Sequence, residues 1–140
     1  LSVMEIKWGL IPDMSTSQTL RDLVRVDVAK ELTFTGRVVE SDEALNLGLV
    51  TSISETPREA ALEMAAAIAK RNPNAITYGK YLFDSTWHGD EYEGLKAEER
   101  LQAKVLKSAN QIEAVMSEME GRAANYTQRD ATTFDDITLD

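Results

Sequence analysis

The residues with the most chemistry to offer are two carboxylates, Glu5 and Asp13, which flank the segment Ile6-Lys7-Trp8-Gly9-Leu10-Ile11-Pro12. A carboxyl group beside Trp8, Leu10 and Ile11 loses part of its hydration. That disfavours the charged form and moves its pKa toward neutrality, the condition that general acid–base catalysis needs near pH 7. The same two residues also read as plain structure, with Glu5 solvated at a strand edge and Asp13 capping the helix that follows. Gly9 is structural on either reading.

Other reactive side chains point to less. His88 stands near the C-terminus of a predicted helix, where an imidazole meets the negative end of the dipole. Met4, Met14, Met64, Met116 and Met119 are expected to fill gaps in the core. Lys80 could meet a phosphate but reads as an exposed helix lysine. The acidic groups Glu40, Asp42 and Glu43, and Glu91, Glu93, Glu98 and Glu99, read as solvated faces, with no spacing that matches a calcium-binding loop. No glycine-rich phosphate loop, nucleophile elbow or paired-histidine zinc motif occurs.

The elements that must position these groups come from a chain of 140 residues with 43% hydrophobic content, one His and no Cys. The absence of Cys excludes a disulfide framework, a thiolate zinc site and a thiol nucleophile, so no metal site is expected. A net charge of −9 disfavours phosphate backbones, so no nucleic-acid partner is expected. No apolar run reaches the ~18 residues of a membrane span, and no secretory leader is visible, so a cytoplasmic location is expected. The chain starts at Leu1 rather than Met, which reads as a processed chain or a fragment.

The pattern predicts a mainly α structure with one or two short β-strands. Residues 1–12 read as extended, with β-favouring Val3, Ile6 and Trp8, and Leu49 to Ser54 as a second strand. Ser15, Thr16 and Ser17 offer caps for a helix carrying Leu20, Leu23 and Val24 on one face, and Asp27 for a helix carrying Val28 and Leu32 that ends at Gly36. Ser41 opens a short helix stopped by Gly48. Thr56-Pro57-Arg58-Glu59 starts a helix to about Arg71, with Pro at its first position. Asn72-Pro73 starts another that ends near Gly89. Asp90 and Glu93 open one long helix or a pair through Arg122, with Leu95, Leu101, Val105, Ile112, Val115 and Met119 as apolar positions. Residues 127–140, with four Asp against one Arg, read as a loose tail. Two isolated strands cannot make a sheet, so their partners are expected elsewhere.

Two stretches then carry a family resemblance. MEIKWGLIPDMSTSQTL followed by AKELTFTGRVVESDEALNLGLVTSIS resembles the enoyl-CoA hydratase/isomerase (crotonase) family. The usual runs there are P-E-x-x-x-G-x-x-P-x-x-G-G-T-x-x-L and A-x-x-L-x-x-T-G-x-x-x-x-A-x-E-A-x-x-x-G-L-V. Glu5, Gly9, Pro12 and Leu20 fall in register with the first. Ala29, Leu32, Thr35, Gly36, Ala44, Gly48, Leu49 and Val50 do so with the second. NPNAITYGK and EAVMSEMEGRAANY resemble later helices of the family. On this resemblance residues 1–55 end the ββα-spiral core and hold the catalytic loop, 56–126 form the C-terminal helical oligomerisation region, and 127–140 are the acidic tail. The chain then looks like the C-terminal half of such an enzyme, with the oxyanion hole and a partner acid in the N-terminal half.

The resemblance implies an acyl-CoA thioester substrate, with coenzyme A as part of it and no separate cofactor. It also implies a homo-oligomer, either a trimer or a dimer of trimers. Glu5 matches the family's second catalytic glutamate, which in hydratases acts on the water and the α-carbon proton. Asp13 stands where most hydratases have Gly and where dienoyl-CoA isomerases carry an Asp that shuttles protons with the Glu. The implied activity is hydration of a trans-2-enoyl-CoA, with double-bond isomerisation through Glu5 and Asp13 as the alternative and an inactive helical oligomerisation fragment as a third reading. Trp8, Leu10 and Pro12 fall where they would line the acyl pocket. Ser15-Thr16-Ser17 replaces Gly-Gly-Thr, so a less tightly turned loop is expected. Glu118 and Gly121 replace a Phe and a Lys that help bind the nucleotide of CoA.

Overall fold

Seven α-helices carry the chain in a computed structural model that describes residues 1–129. They are α1 (Thr16–Leu23), α2 (Val26–Thr35), α3 (Ser41–Leu47), α4 (Pro57–Ala69), α5 (Pro73–Thr86), α6 (Glu91–Val105) and α7 (Ala109–Glu120). A short 3-10 turn, Glu5–Trp8, precedes them. The helices divide into two compact units, Leu1–Ala60 and Ala61–Asp140.

In the first unit, Leu32, Val39 and Ala44 form the buried cluster, with Val3, Val28, Leu47, Leu49 and Val50 packed against it. Aliphatic side chains from α2, α3 and the connection between them thus supply its hydrophobic core. Both helices stop at a left-handed glycine, Gly36 (φ 56°) and Gly48 (φ 83°). There the backbone bends at no steric cost. Arg37, in the connection between them, donates to both Glu31 of α2 and Glu43 of α3, at 2.6–3.0 Å. Those hydrogen bonds hold both carboxyls below their usual pKa range.

In the second unit, Tyr78 of α5 packs with Leu101 and Val105 of α6, flanked by Tyr81 and Leu82. Asn72 caps α5 through its side-chain oxygen, which accepts from the Asn74 and Ala75 amides. Asp90 caps α6 in the same way, accepting from Tyr92 and Glu93. Buried Asn110 of α7 donates to the Asn74 side chain at 2.8 Å.

The expected strands do not form: no strand occurs among the described residues. Leu1 and Val39 exchange both main-chain hydrogen bonds, at 2.8 and 2.7 Å, as a single antiparallel pair would. The ladder goes no further. The Lys7 and Gly9 amides bond locally to Met4 and Ile6, which winds Glu5–Trp8 into a 3-10 turn. Leu49 and Val50 pack on the core from irregular backbone.

Several smaller expectations are corrected too. α1 begins at Thr16, and its cap residue Ser15 makes no side-chain capping bond. Asp27 lies inside the first turn of α2, paired with Arg25, rather than capping it. The segment after Asp90 is two helices, because Lys107 turns left-handed (φ 63°) and Ser108 caps α7 by accepting from the Gln111 amide. The five methionines are not core fillers. Met4, Met14, Met64, Met116 and Met119 are all exposed, as are Leu95, Ile112 and Val115. No described element of their own unit covers them. Most of the expected tail lies outside the described residues, but its first residue is fixed: Thr127 donates its amide to Asn110 Oδ1 and accepts from Asn110 Nδ2.

Candidate active site

The candidate residues sit on the first fifteen residues, and the question is what holds that stretch in place. Three contacts do. Leu1 is tied to Val39, the Ser2 hydroxyl donates to the Gly36 carbonyl at 3.1 Å, and the 3-10 turn rests on the C-terminus of α2. Gly9, left-handed at φ 70°, ends the turn with its amide directed back to the Glu5 and Ile6 carbonyls. The Leu10 amide also donates to the Glu5 carbonyl, at 3.1 Å. The backbone at Glu5 is therefore pinned from both sides in sequence.

The Glu5 side chain is half-buried, and its carboxylate has no partner among the described residues. In a 3-10 turn residues three apart eclipse, so Glu5 and Trp8 lie on the same side of it. Trp8 is 78% exposed and Leu10 is 58% exposed. These two expected pocket residues are therefore not enclosed within their unit. Pro12 is half-buried and lines a cavity of about 290 Å³ between α1 and α2, walled by Leu20, Val24, Val26 and Phe34. The structure thus places Glu5 and Trp8 together on one turn and puts Pro12 against a separate cavity.

Asp13 is exposed, and the helix-cap reading of it fails in detail. Its main-chain carbonyl accepts from the Thr16 amide (2.9 Å) and hydroxyl (2.6 Å), while its carboxylate has no partner among the described residues. The two residues after it, Met14 (φ 49°) and Ser15 (φ 64°), are both left-handed. The Thr16–Asp13 bond closes a tight turn built without glycine, at a steric cost of roughly 1–2 kcal/mol per left-handed residue.

The sequence reading took Gly36 as a helix stop in register with the family run, gave it no part in the site, and passed over Arg37. For Arg37 the signal was present: it stands six residues from each of two glutamates. No group of three or more His, Cys, Asp or Glu among the described residues is placed to hold a metal ion.

Residues 1–129 match the family model described as enoyl-CoA hydratase/isomerase. The chain belongs to that family. It is 32% identical to the short-chain-enoyl-CoA hydratase of Clostridioides difficile, an alignment covering 81% of this chain and 74% of that protein. It is 26% identical to the methylglutaconyl-CoA hydratase of Mus musculus, covering 90% of this chain and 42% of that one. The crystal structure of an enoyl-CoA hydratase from Bacillus anthracis superposes with a TM-score of 0.82 at 30% identity, over 88% of this chain and 48% of that one. The chain spans about half the length of most curated relatives it matches. Membership of the enoyl-CoA hydratase/isomerase family accounts for the mainly helical architecture: the matching structures share their fold with this chain over about half their own length. No described helix is long and apolar enough to cross a membrane.

Proposed function

We propose that this chain supplies one catalytic acid/base of an enzyme that hydrates trans-2-enoyl-CoA thioesters. The supporting observation is the unpartnered carboxylate of Glu5, held on a pinned 3-10 turn in a stretch covered by the family match. Hydration adds a water O–H across the double bond, the oxygen going to the β-carbon and a proton to the α-carbon. A carboxyl group can move both protons if the negative charge on the thioester oxygen is held by N–H donors meanwhile. In this reading those donors and the partner acid lie outside the chain. The thioester binds through its coenzyme A portion, and proton transfer of this kind calls for no separate cofactor. The reading includes a cytoplasmic, homo-oligomeric enzyme, either a trimer or a dimer of trimers. Cell fractionation tests the compartment, since the names of several relatives specify mitochondria.

Glu5→Gln in the protein expressed from its full reading frame is expected to lower turnover of a 2-enoyl-CoA by more than ~100-fold. Retained turnover would remove Glu5 from the mechanism. One observation favours isomerisation instead: Asp13 presents a second unpartnered carboxylate beside two left-handed residues. Feeding a 2-enoyl-CoA and a 3,5-dienoyl-CoA separates the two. Loss of the conjugated enoyl absorbance with the first substrate alone indicates hydration, and conversion of the dienoyl-CoA indicates isomerisation. The exposure of Trp8 and Leu10 favours the reading that residues 1–140 by themselves are inactive. The same assay on that chain alone tests it.

A further inference from the structure

We infer that Gly36 is a positioning residue for Glu5, acting through contact with Ile6 rather than only by ending α2. Gly36 is left-handed (φ +56°), and a Cβ at that position would lie 2.8 Å from Ile6 Cγ2, 3.5 Å from the Val3 carbonyl oxygen and 3.7 Å from Lys7 Cγ. The first distance is well inside van der Waals contact. Cγ2 is not the free end of a long side chain. It is one branch of a β-branched residue, whose χ1 is stiff, so relief must come from moving the turn. Glu5 and Trp8 lie within that four-residue turn and move with it.

The other side of the contact cannot yield either. The Gly36 carbonyl is held by the Ser2 hydroxyl, and the residue after it, Arg37, is locked to Glu31 and Glu43 by paired hydrogen bonds. Val39, two residues further on, is bonded to Leu1. The loop after α2 is therefore a fixed platform, and the absence of a side chain at position 36 sets how closely the Glu5 turn approaches it. A shift near 1 Å in a catalytic group costs on the order of 100-fold in rate. Gly36 touches no reacting atom in this scheme.

The inference rests on the proposed acid/base role of Glu5, and the test separates the two. In the protein expressed from its full reading frame, Gly36→Ala is expected to lower kcat on the order of 100-fold, with KM nearly unchanged. Adding Ile6→Ala, which removes Cγ2, should recover at least tenfold of that loss. A purely structural αL strain at position 36 would not be relieved by trimming Ile6. Amide hydrogen exchange at Leu10, whose N–H bonds to the Glu5 carbonyl, should accelerate in Gly36→Ala and slow again in the double variant. Where Gly36→Ala does not fold, Gly36→Asn replaces it, because Asn accepts the left-handed conformation while still carrying a Cβ. A kcat within twofold of wild type, no recovery with Ile6→Ala, or unchanged exchange at Leu10 overturns the positioning role. Full activity of Glu5→Gln overturns the reading beneath it instead.

Discussion

Two consecutive left-handed residues without glycine, Met14 and Ser15, sit directly after Asp13. Non-glycine residues pay for that conformation in steric strain, and such strain collects at functional loops. Ser15→Gly should therefore stabilise the protein by about 1 kcal/mol, read as a raised urea midpoint; an unchanged or lowered midpoint would show that the turn is unstrained. Asn72→Ala should cost about 1 kcal/mol by the same measurement, because it leaves two amides of α5 without their acceptor. Caps of this kind were legible in the sequence at Asn72, before Pro73, and at Asp90, before an acidic first turn; Ser41, which has the same acidic followers, lies inside α3 and makes no capping bond. They failed at Ser15, which holds the cap position but is left-handed and makes no capping bond, and at Asp27, which lies inside α2 because the helix already starts at Val26. Glu5 was found by its apolar neighbours and its register in the family run. The close approach of Ile6, its neighbour in the turn, to Gly36 was not legible, because a contact between residues thirty apart in sequence leaves no local trace.

At the scale of elements, helices announced themselves by period and punctuation, and seven formed among the described residues. The strands were misjudged because extended residues need a neighbouring ladder. Here Leu1 finds only Val39, so the amides of Lys7 and Gly9 bond locally instead. The break between α6 and α7 was left open by the apolar spacing, and Lys107 with the Ser108 cap makes it. α7 closes at left-handed Gly121, and charge reinforces the closure. Arg122 and the Asn125 amide both donate to Glu113, which draws its pKa from 4.5 down to about 2. A carboxyl depressed in the folded state contributes stability that is complete above its unfolded pKa and fades as pH falls toward the folded value. The stability gap between wild type and Glu113→Gln should thus be constant above about pH 5 and close between there and about pH 2. Urea titrations at a series of pH values measure it; a gap independent of pH would mean the Arg122 contact adds nothing.

Over the whole molecule, the apolar positions predicted on α7 are real but uncovered. Ile112, Val115, Met116 and Met119 recur at helical spacing along one stripe, and Val115 and Met119 are 46% and 79% exposed. Leu62, Met64 and Ile68 of α4 are exposed as well, and α4 buries no residue. Apolar faces this continuous mark surfaces that meet another protein surface. The sequence pattern alone could not distinguish a face that packs within the chain from one that packs outside it, since burial imposes the same period on both. The proposed homo-oligomer gives the α7 stripe a partner. Covering a side chain of that size contributes about 1.5–3 kcal/mol, and 1.4 kcal/mol is tenfold in affinity. Val115→Asp should therefore weaken self-association by at least about tenfold while leaving the helical circular dichroism intact, because position 115 joins no buried cluster among the described residues. Sedimentation equilibrium across a concentration series measures the association, and far-ultraviolet circular dichroism the helix content. A protein that is already monomeric at high micromolar concentration, or an association that Val115→Asp leaves unchanged, would move the interface off α7 and leave the α4 face as the surface to mutate next.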